Sequence, residues 1–196
     1  MLRNLLRIPT TGAGLTARCS NRRCLSYVST HPVFPATLYR FQIHRESKLY
    51  DKSLKQNDWE YEDGVEISSD GLVHAKINLD VSNGALFMPN THLMQELTRR
   101  SFDNYLDAVD NGQPTAEPHY LSIPKGTPVP DSLTLFRERA SRFTLQPSYP
   151  ISLAALNELL TKFYNESGQI TAPEVWLDKN PYNEALFDDL EDWMEK

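Results

Sequence analysis

Two groups of arginines are the side chains of this sequence best suited to chemistry. Arg40 stands inside the run Ala36 to His44 (ATLYRFQIH), between Tyr39 and Phe41. A guanidinium in so apolar a strand must reach water or an anion, because an unpaired buried charge is costly. Leu38, Arg40 and Gln42 alternate with Tyr39, Phe41 and Ile43, the pattern of a half-buried strand. Both an arginine on the wet face and an arginine holding an anion fit it. The second group is Arg137-Glu138-Arg139 followed by Arg142. Three guanidiniums near one carboxylate, between two strands, suit a pyrophosphate. A solvated turn with ordinary surface pairs, worth little energetically, suits the same pattern. The signatures of other chemistries are missing: no phosphate-cradling glycine loop, no nucleophile-elbow serine and no histidines paired at metal spacing. His31, His44, His74, His92 and His119 are scattered, so no metal is expected.

These residues need elements to hold them. The strand around Arg40 is the clearest. Residues 46–64 are charged and without period, and read as a loop. Val65 to Ile67, an Asp70-Gly71 turn and Leu72 to Ile77 read as a hairpin. Ser82-Asn83-Gly84 is a further turn. Asn90 or Thr91 caps a helix to about Val109, with Leu93, Leu97, Phe102, Tyr105, Leu106 and Val109 on its apolar face. Asn111 to Pro118 is a linker. Tyr120 to Ile123, Leu133 to Phe136 and Phe143 to Gln146 read as strands. Ser152 caps a helix to Tyr164 with a stripe of Leu153, Leu156, Leu159, Leu160 and Phe163. A mixed segment then leads to Asn180-Pro181, which opens a last helix bearing Leu186, Phe187, Leu190, Trp193 and Met194 opposite acids. That helix docks on the domain or waits for a protein partner. The fold class is α+β, a compact mixed domain of short, mostly antiparallel strands with helices between them.

Charge divides the chain. Residues 1–45 hold seven arginines, no lysine and no carboxylate, and Glu46 is the first acid. Leu2, Leu5 and Leu6 oppose Arg3 and Arg7 on a helical wheel, and Pro9 stops the turn. An amphipathic, Arg- and hydroxyl-rich, acid-poor leader is the composition of a mitochondrial presequence, and Arg23-Cys24-Leu25-Ser26 resembles a processing site. The alternative is a disordered basic tail on a cytoplasmic protein. Cleavage after Leu25 would leave 15 basic and 26 acidic side chains, a net charge of −11. Such a surface repels phosphate backbones and argues against nucleic acid as a partner. No apolar stretch approaches the ~20 residues of a membrane span. Both cysteines, Cys19 and Cys24, precede that cut, so no disulfide or thiolate is expected in the domain. The expected organisation is a presequence and linker over 1–35, a domain over 36–168 and an acidic segment over 169–196.

The order of short motifs from Leu38 to Tyr164 resembles the Tse-two-type ADP-ribosyltransferase toxins (type VI secretion exported toxin two), particularly their fungal branch. The pieces are Leu38-Tyr39-Arg40, Asp70-Gly71-Leu72, Asn83-Gly84-Ala85 and Pro89-Asn90-Thr91. Ile123-Pro124, Gly126-Thr127, Pro128-Val129-Pro130, Leu133, Phe143-Thr144-Leu145-Gln146 and the helix from Leu153 to Phe163 follow. The resemblance implies a split, mostly antiparallel sheet and the breaking of the nicotinamide–ribose bond of NAD, which passes through an oxocarbenium-like state. It implies NAD as substrate, without a metal, and an unidentified acceptor of ADP-ribose. It makes Arg40 the dinucleotide anchor, and the guanidinium of Arg142, a departure from the family pattern, is a phosphate-binding candidate by its own chemistry. Tyr39 and Asn83 join them as cofactor-binding candidates, and Glu138 and Thr144 are the catalytic candidates. Tyr39, Phe87 and Phe143 are candidates for a wall against nicotinamide, although core packing suits each as well. The chain departs from the family pattern in two places. Relatives read Asn-Gly-Ala-Ser with an arginine soon after; here Leu86 and Met88 take those positions. Relatives place His-Tyr before the later hydroxyl; here Arg142-Phe143 precedes Thr144. Leu86 cannot hydrogen-bond, and Arg142 cannot act as a base at neutral pH. An active transferase or glycohydrolase and a non-catalytic binding module of the same fold both remain open.

Overall fold

The structure, a computed structural model, describes residues 28–54, 63–77, 82–139 and 141–182. Nine strands and three helices alternate along them: β1 (Ser29–His31), β2 (Leu38–Gln42), β3 (Tyr50–Asp51), β4 (Gly64–Val65), β5 (Ala85–Phe87), α1 (His92–Asp110), β6 (His119–Ile123), β7 (Leu133–Arg139), β8 (Arg142–Pro147), α2 (Leu153–Ser167), β9 (Gln169–Thr171) and α3 (Pro173–Lys179). One antiparallel sheet runs β1-β7-β8-β5 and a second runs β2-β6-β9. They meet at a single bridge, where Tyr39 and Met88 exchange backbone hydrogen bonds of 2.8 and 2.9 Å. The expected α+β class with a split sheet is the architecture observed.

Strand alternation assigns the two faces. Leu38, Ala85, Phe87, Leu121, Ile123 and Leu145 point to a core closed by Leu156, Leu160, Phe163 and Tyr164 of α2. Tyr39 and Tyr120 point the other way, into a smaller cluster with Met94 of α1 and Trp176 of α3. There Trp176 stacks on Tyr120 at 4.8 Å and meets Tyr39 edge-on at 5.1 Å. Burial, offset in part by Thr98, pushes the Tyr120 phenol up to about 12. With helices on both faces, β2 is buried on both sides rather than half-buried: α1 and α3 cover the Tyr39 face, and the face of Leu38, Arg40 and Gln42, which the alternation left for water, turns to the side of the main core.

Both helix caps form where the sequence places them. Thr91 Oγ1 accepts from Met94 N–H at 3.2 Å, and Ser152 Oγ accepts from Ala155 N–H at 3.3 Å. The face of α1 is a correction. Its buried residues are Met94, Gln95 and Thr98, while Leu93, Leu97, Leu106 and Val109 are exposed. The helix turns its polar side inward because Thr98 Oγ1 meets the Tyr120 hydroxyl at 2.7 Å and Gln95 donates to Asn180 O at 2.6 Å. The expected loop over 46–64 contains β3 and, at its end, β4, which pair in parallel. Asn157 of α2 fixes the approach to β3, accepting from Leu49 N–H at 2.8 Å and donating to Leu49 O at 3.0 Å. The folded unit is wider than 36–168: β1 pairs with β7, β9 pairs with β6, and α3 supplies Trp176. The leader, both cysteines and the acidic run from Asn183 onward lie outside the described residues.

Candidate active site

Below the Tyr39–Met88 bridge the two sheets part, and the next backbone groups on that edge of β5 belong to Leu86. They find side chains instead of a strand. Asp63 Oδ2 accepts from Leu86 N–H at 2.7 Å, and Arg40 Nη1 donates to Leu86 O at 3.3 Å. Arg40 and Asp63 also form an ion pair with each other. The guanidinium is thus set into the split itself. Arg40 is 3% exposed, so of the two sequence readings the wet-face arginine is excluded. The pair forms one wall of a cleft of about 270 Å³ that Tyr39, Phe41, Leu86, Met88, Leu97 and Arg100 also line. Phe41, Ser101 and Asn104 are shared with a larger trough of about 640 Å³ between the end of β2, α1 and the 113–118 linker.

One strand further on lies a buried polar cluster. Leu86 stands opposite Thr144 across the β5–β8 ladder, so their side chains share a face. Thr144 Oγ1 donates to Glu138 Oε1 at 2.6 Å. Glu138 reaches that face because the β7–β8 register shifts between Arg137 and Arg139, leaving it as the extra residue of a bulge. Two further donors reach it, Gln146 Nε2 at 3.3 Å on Oε1 and Ser82 Oγ at 2.5 Å on Oε2, and Arg142 forms an ion pair with it, Nε lying 3.3 Å from Oε2. Arg142 Nη2 in turn donates to Ser82 Oγ at 3.2 Å. Glu138 is 2% exposed, whereas the Arg142 side chain is 30% exposed and forms the outer edge of the cluster.

A family model of the Tse2 ADP-ribosyltransferase toxin matches residues 36–176. The chain belongs to that family. No curated protein and no solved structure matches it. The matched span of the Tse2-type domain runs from just before β2 into α3, and so takes in Arg40, Leu86, Glu138, Arg142 and Thr144. An ADP-ribosyltransferase family implies NAD as substrate and an acceptor for ADP-ribose. Among the described residues, no three His, Cys, Asp or Glu side chains gather to hold a metal ion, and no helix is long and apolar enough to cross a membrane.

The Tse2-type fold brings some candidates together and separates others. Glu138, Thr144 and Arg142 share one cluster, and Arg40 donates to the carbonyl of Leu86, the residue opposite Thr144. Tyr39 lines the cleft with Arg40, but its hydroxyl is committed to Asn180 Oδ1 at 2.9 Å, where it docks the end of α3. Phe87 and Phe143 are wholly buried in the main core, so packing takes both of these wall candidates. Asn83 holds backbone: its Oδ1 accepts from Glu66 N–H at 2.8 Å, and its Nδ2 donates to Glu66 O and His74 O at 3.1 and 3.0 Å. Gly84 beside it has no room for a Cβ, which would fall 2.3 Å from Leu145 O. The Asn-Gly pair of the family motif is accordingly a clamp that seats β5 on β8. Three members of the site escaped the sequence reading. Ser82 precedes that Asn-Gly turn, and Gln146 lies two residues after Thr144 on the same strand face, so both carried a usable signal. Asp63 carried none, since it ends an aperiodic charged stretch.

Proposed function

We propose that this chain is an NAD-consuming enzyme, an ADP-ribosyltransferase or NAD glycohydrolase of the fungal branch of its family, acting after import into mitochondria. The observation that carries the reading is the buried guanidinium of Arg40 set in the sheet split against a cleft, within the span the family model matches. The cleft alone is small for a dinucleotide. Its continuation into the neighbouring trough brings the space into the few-hundred to ~1,000 Å³ range of small-molecule sites. Arg40 binds the pyrophosphate, a task for which a planar two-pronged cation is suited. Thr144, one strand away, faces the region where the ribose would lie, and Glu138 orients that hydroxyl and supplies negative charge near an oxocarbenium-like state.

A specific observation favours a second reading, a binding module without turnover. Leu86 and Met88 both line the cleft, at positions where the family resemblance implies a hydroxyl and a cation, and Arg142 stands where it implies an imidazole. These replacements leave anion binding in place and remove hydrogen-bonding and proton-transfer groups. Nicotinamide release from labelled NAD by the full chain separates the two. Release that disappears in Arg40→Lys, with folding intact, supports the enzyme. Arg40-dependent binding without release supports the module, and absence of binding refutes both. Import is tested by fusing residues 1–35 to a reporter; a cytosolic signal refutes it. The acidic run from Asn183 onward is proposed to engage a basic protein partner.

A further inference from the structure

We propose that Asp63 is a built-in competitor for the dinucleotide: in the free protein its carboxylate occupies the anion position that a phosphate of NAD takes on Arg40. This rests on the reading of Arg40 as the dinucleotide anchor. One carboxylate oxygen, Oδ2, receives both the Arg40 guanidinium and the Leu86 backbone N–H. A guanidinium and a main-chain amide converging on one anionic oxygen is the donor set of a phosphate site. The fold therefore contains such a site and fills it from within.

The occupant is held weakly enough to leave. Asp63 belongs to no helix or strand and precedes β4, which is two residues long. Its own carbonyl accepts one long backbone hydrogen bond, 3.4 Å from Tyr50 N. Its side chain is 29% exposed, against 3% for Arg40, so the carboxylate lies on the solvent side of the pair and lines the cleft. An entering phosphate meets this negative charge first. It binds by displacing the carboxylate from Nη1 and from Leu86 N–H, and the affinity observed is what remains after that exchange.

The test is Asp63→Asn in the full chain. Asparagine keeps an oxygen for Leu86 N–H and removes the charge. Calorimetric titration with inorganic pyrophosphate, ADP-ribose and NAD is expected to show binding at least tenfold tighter than wild type. Adding Arg40→Lys to the same chain is expected to abolish the gain. A folded Asp63→Asn protein that binds these ligands no tighter overturns the proposal. Should that variant fail to fold, the wild type supplies the measurement: the amide signal of Leu86 must shift on adding pyrophosphate, and a Leu86 signal unmoved at saturation overturns the proposal. The two failures are distinguishable. Arg40-dependent binding without any gain in Asp63→Asn removes the competitor alone. No binding by either protein removes the anchor, and the competitor with it.

Discussion

Replacing Glu138 with glutamine tests whether the buried cluster holds an ionised carboxylate. Three donors and one cation surround that side chain: Thr144 and Gln146 donate to Oε1, Ser82 donates to Oε2, and Arg142 pairs with Oε2 by charge. Whichever way glutamine turns, its amide nitrogen faces a hydroxyl that already donates inward, beside the Gln146 amide on one side or the Arg142 cation on the other. One side keeps neutral hydrogen bonds; the other becomes a clash of donors in a site 2% exposed. Hydrogen bonds to a charged group contribute roughly 1.5–3 kcal/mol each, so the net loss is expected at about 2–4 kcal/mol. That is a large part of the ~5–15 kcal/mol that holds a domain together. Urea unfolding, followed by tryptophan fluorescence, to which buried Trp176 contributes, reads it directly. With a slope of about 1–3 kcal/mol per molar, the midpoint falls by roughly 1–2 M. Arg142→Gln alone is milder, about 1 kcal/mol, because Glu138 keeps its three neutral donors. The double variant is expected to cost less than the sum of the two. A glutamine variant within ~0.5 kcal/mol of wild type would refute the picture of a carboxylate fixed by three donors and the Arg142 cation.

Gly84→Ala puts a methyl group 2.3 Å from Leu145 O and 2.8 Å from Gln146 Cγ, so β5 must lift from β8. A loss of about 2–4 kcal/mol in thermal unfolding is expected, and an unchanged melting temperature would contradict the close approach. Stability should also fall on acidification. Burial, reinforced by Arg137, lowers the pKa of His31, and burial is the leading cause of the same shift at His119. The unfolded chain then binds protons that the folded one refuses. Stability is complete above about 6.5 and declines as pH falls from there towards the lowered folded values. Denaturation midpoints between pH 7.5 and 5.5 should show this slope, and His31→Gln with His119→Gln should flatten it.

Much of the fold was written in local pattern. Period-two alternation located β2, the runs Tyr120 to Ile123, Leu133 to Phe136 and Phe143 to Gln146 were legible as strands, and hydroxyl caps located the starts of α1 and α2. Where the reading erred, a distant partner had overruled a local rule. The polar side of α1 is buried because Tyr120 and Asn180 offer it hydrogen bonds, which no window of ten residues contains. β3 and β4 hold two residues each, too few for any period to register. At the site, arginines and acids announced themselves by type. Glu138 and Thr144 stood six residues apart on neighbouring strands, and Arg40 was conspicuous in apolar company. Asp63 was invisible because its importance lies in reaching Arg40 and the backbone of Leu86, each 23 residues away along the chain.

The placement of Arg40 bears on how mutants of this protein are to be judged. The same guanidinium that faces the cleft also closes the seam between two sheets, so truncating it strands Asp63 and removes a partner from the Leu86 carbonyl. Random mutagenesis selected for loss of activity would therefore return collapsed proteins and intact but inert ones under a single phenotype. Abundance in cell extracts, scored beside the proposed NAD-consuming activity for every recovered allele, sorts the broken scaffolds from folded proteins that have lost only their function.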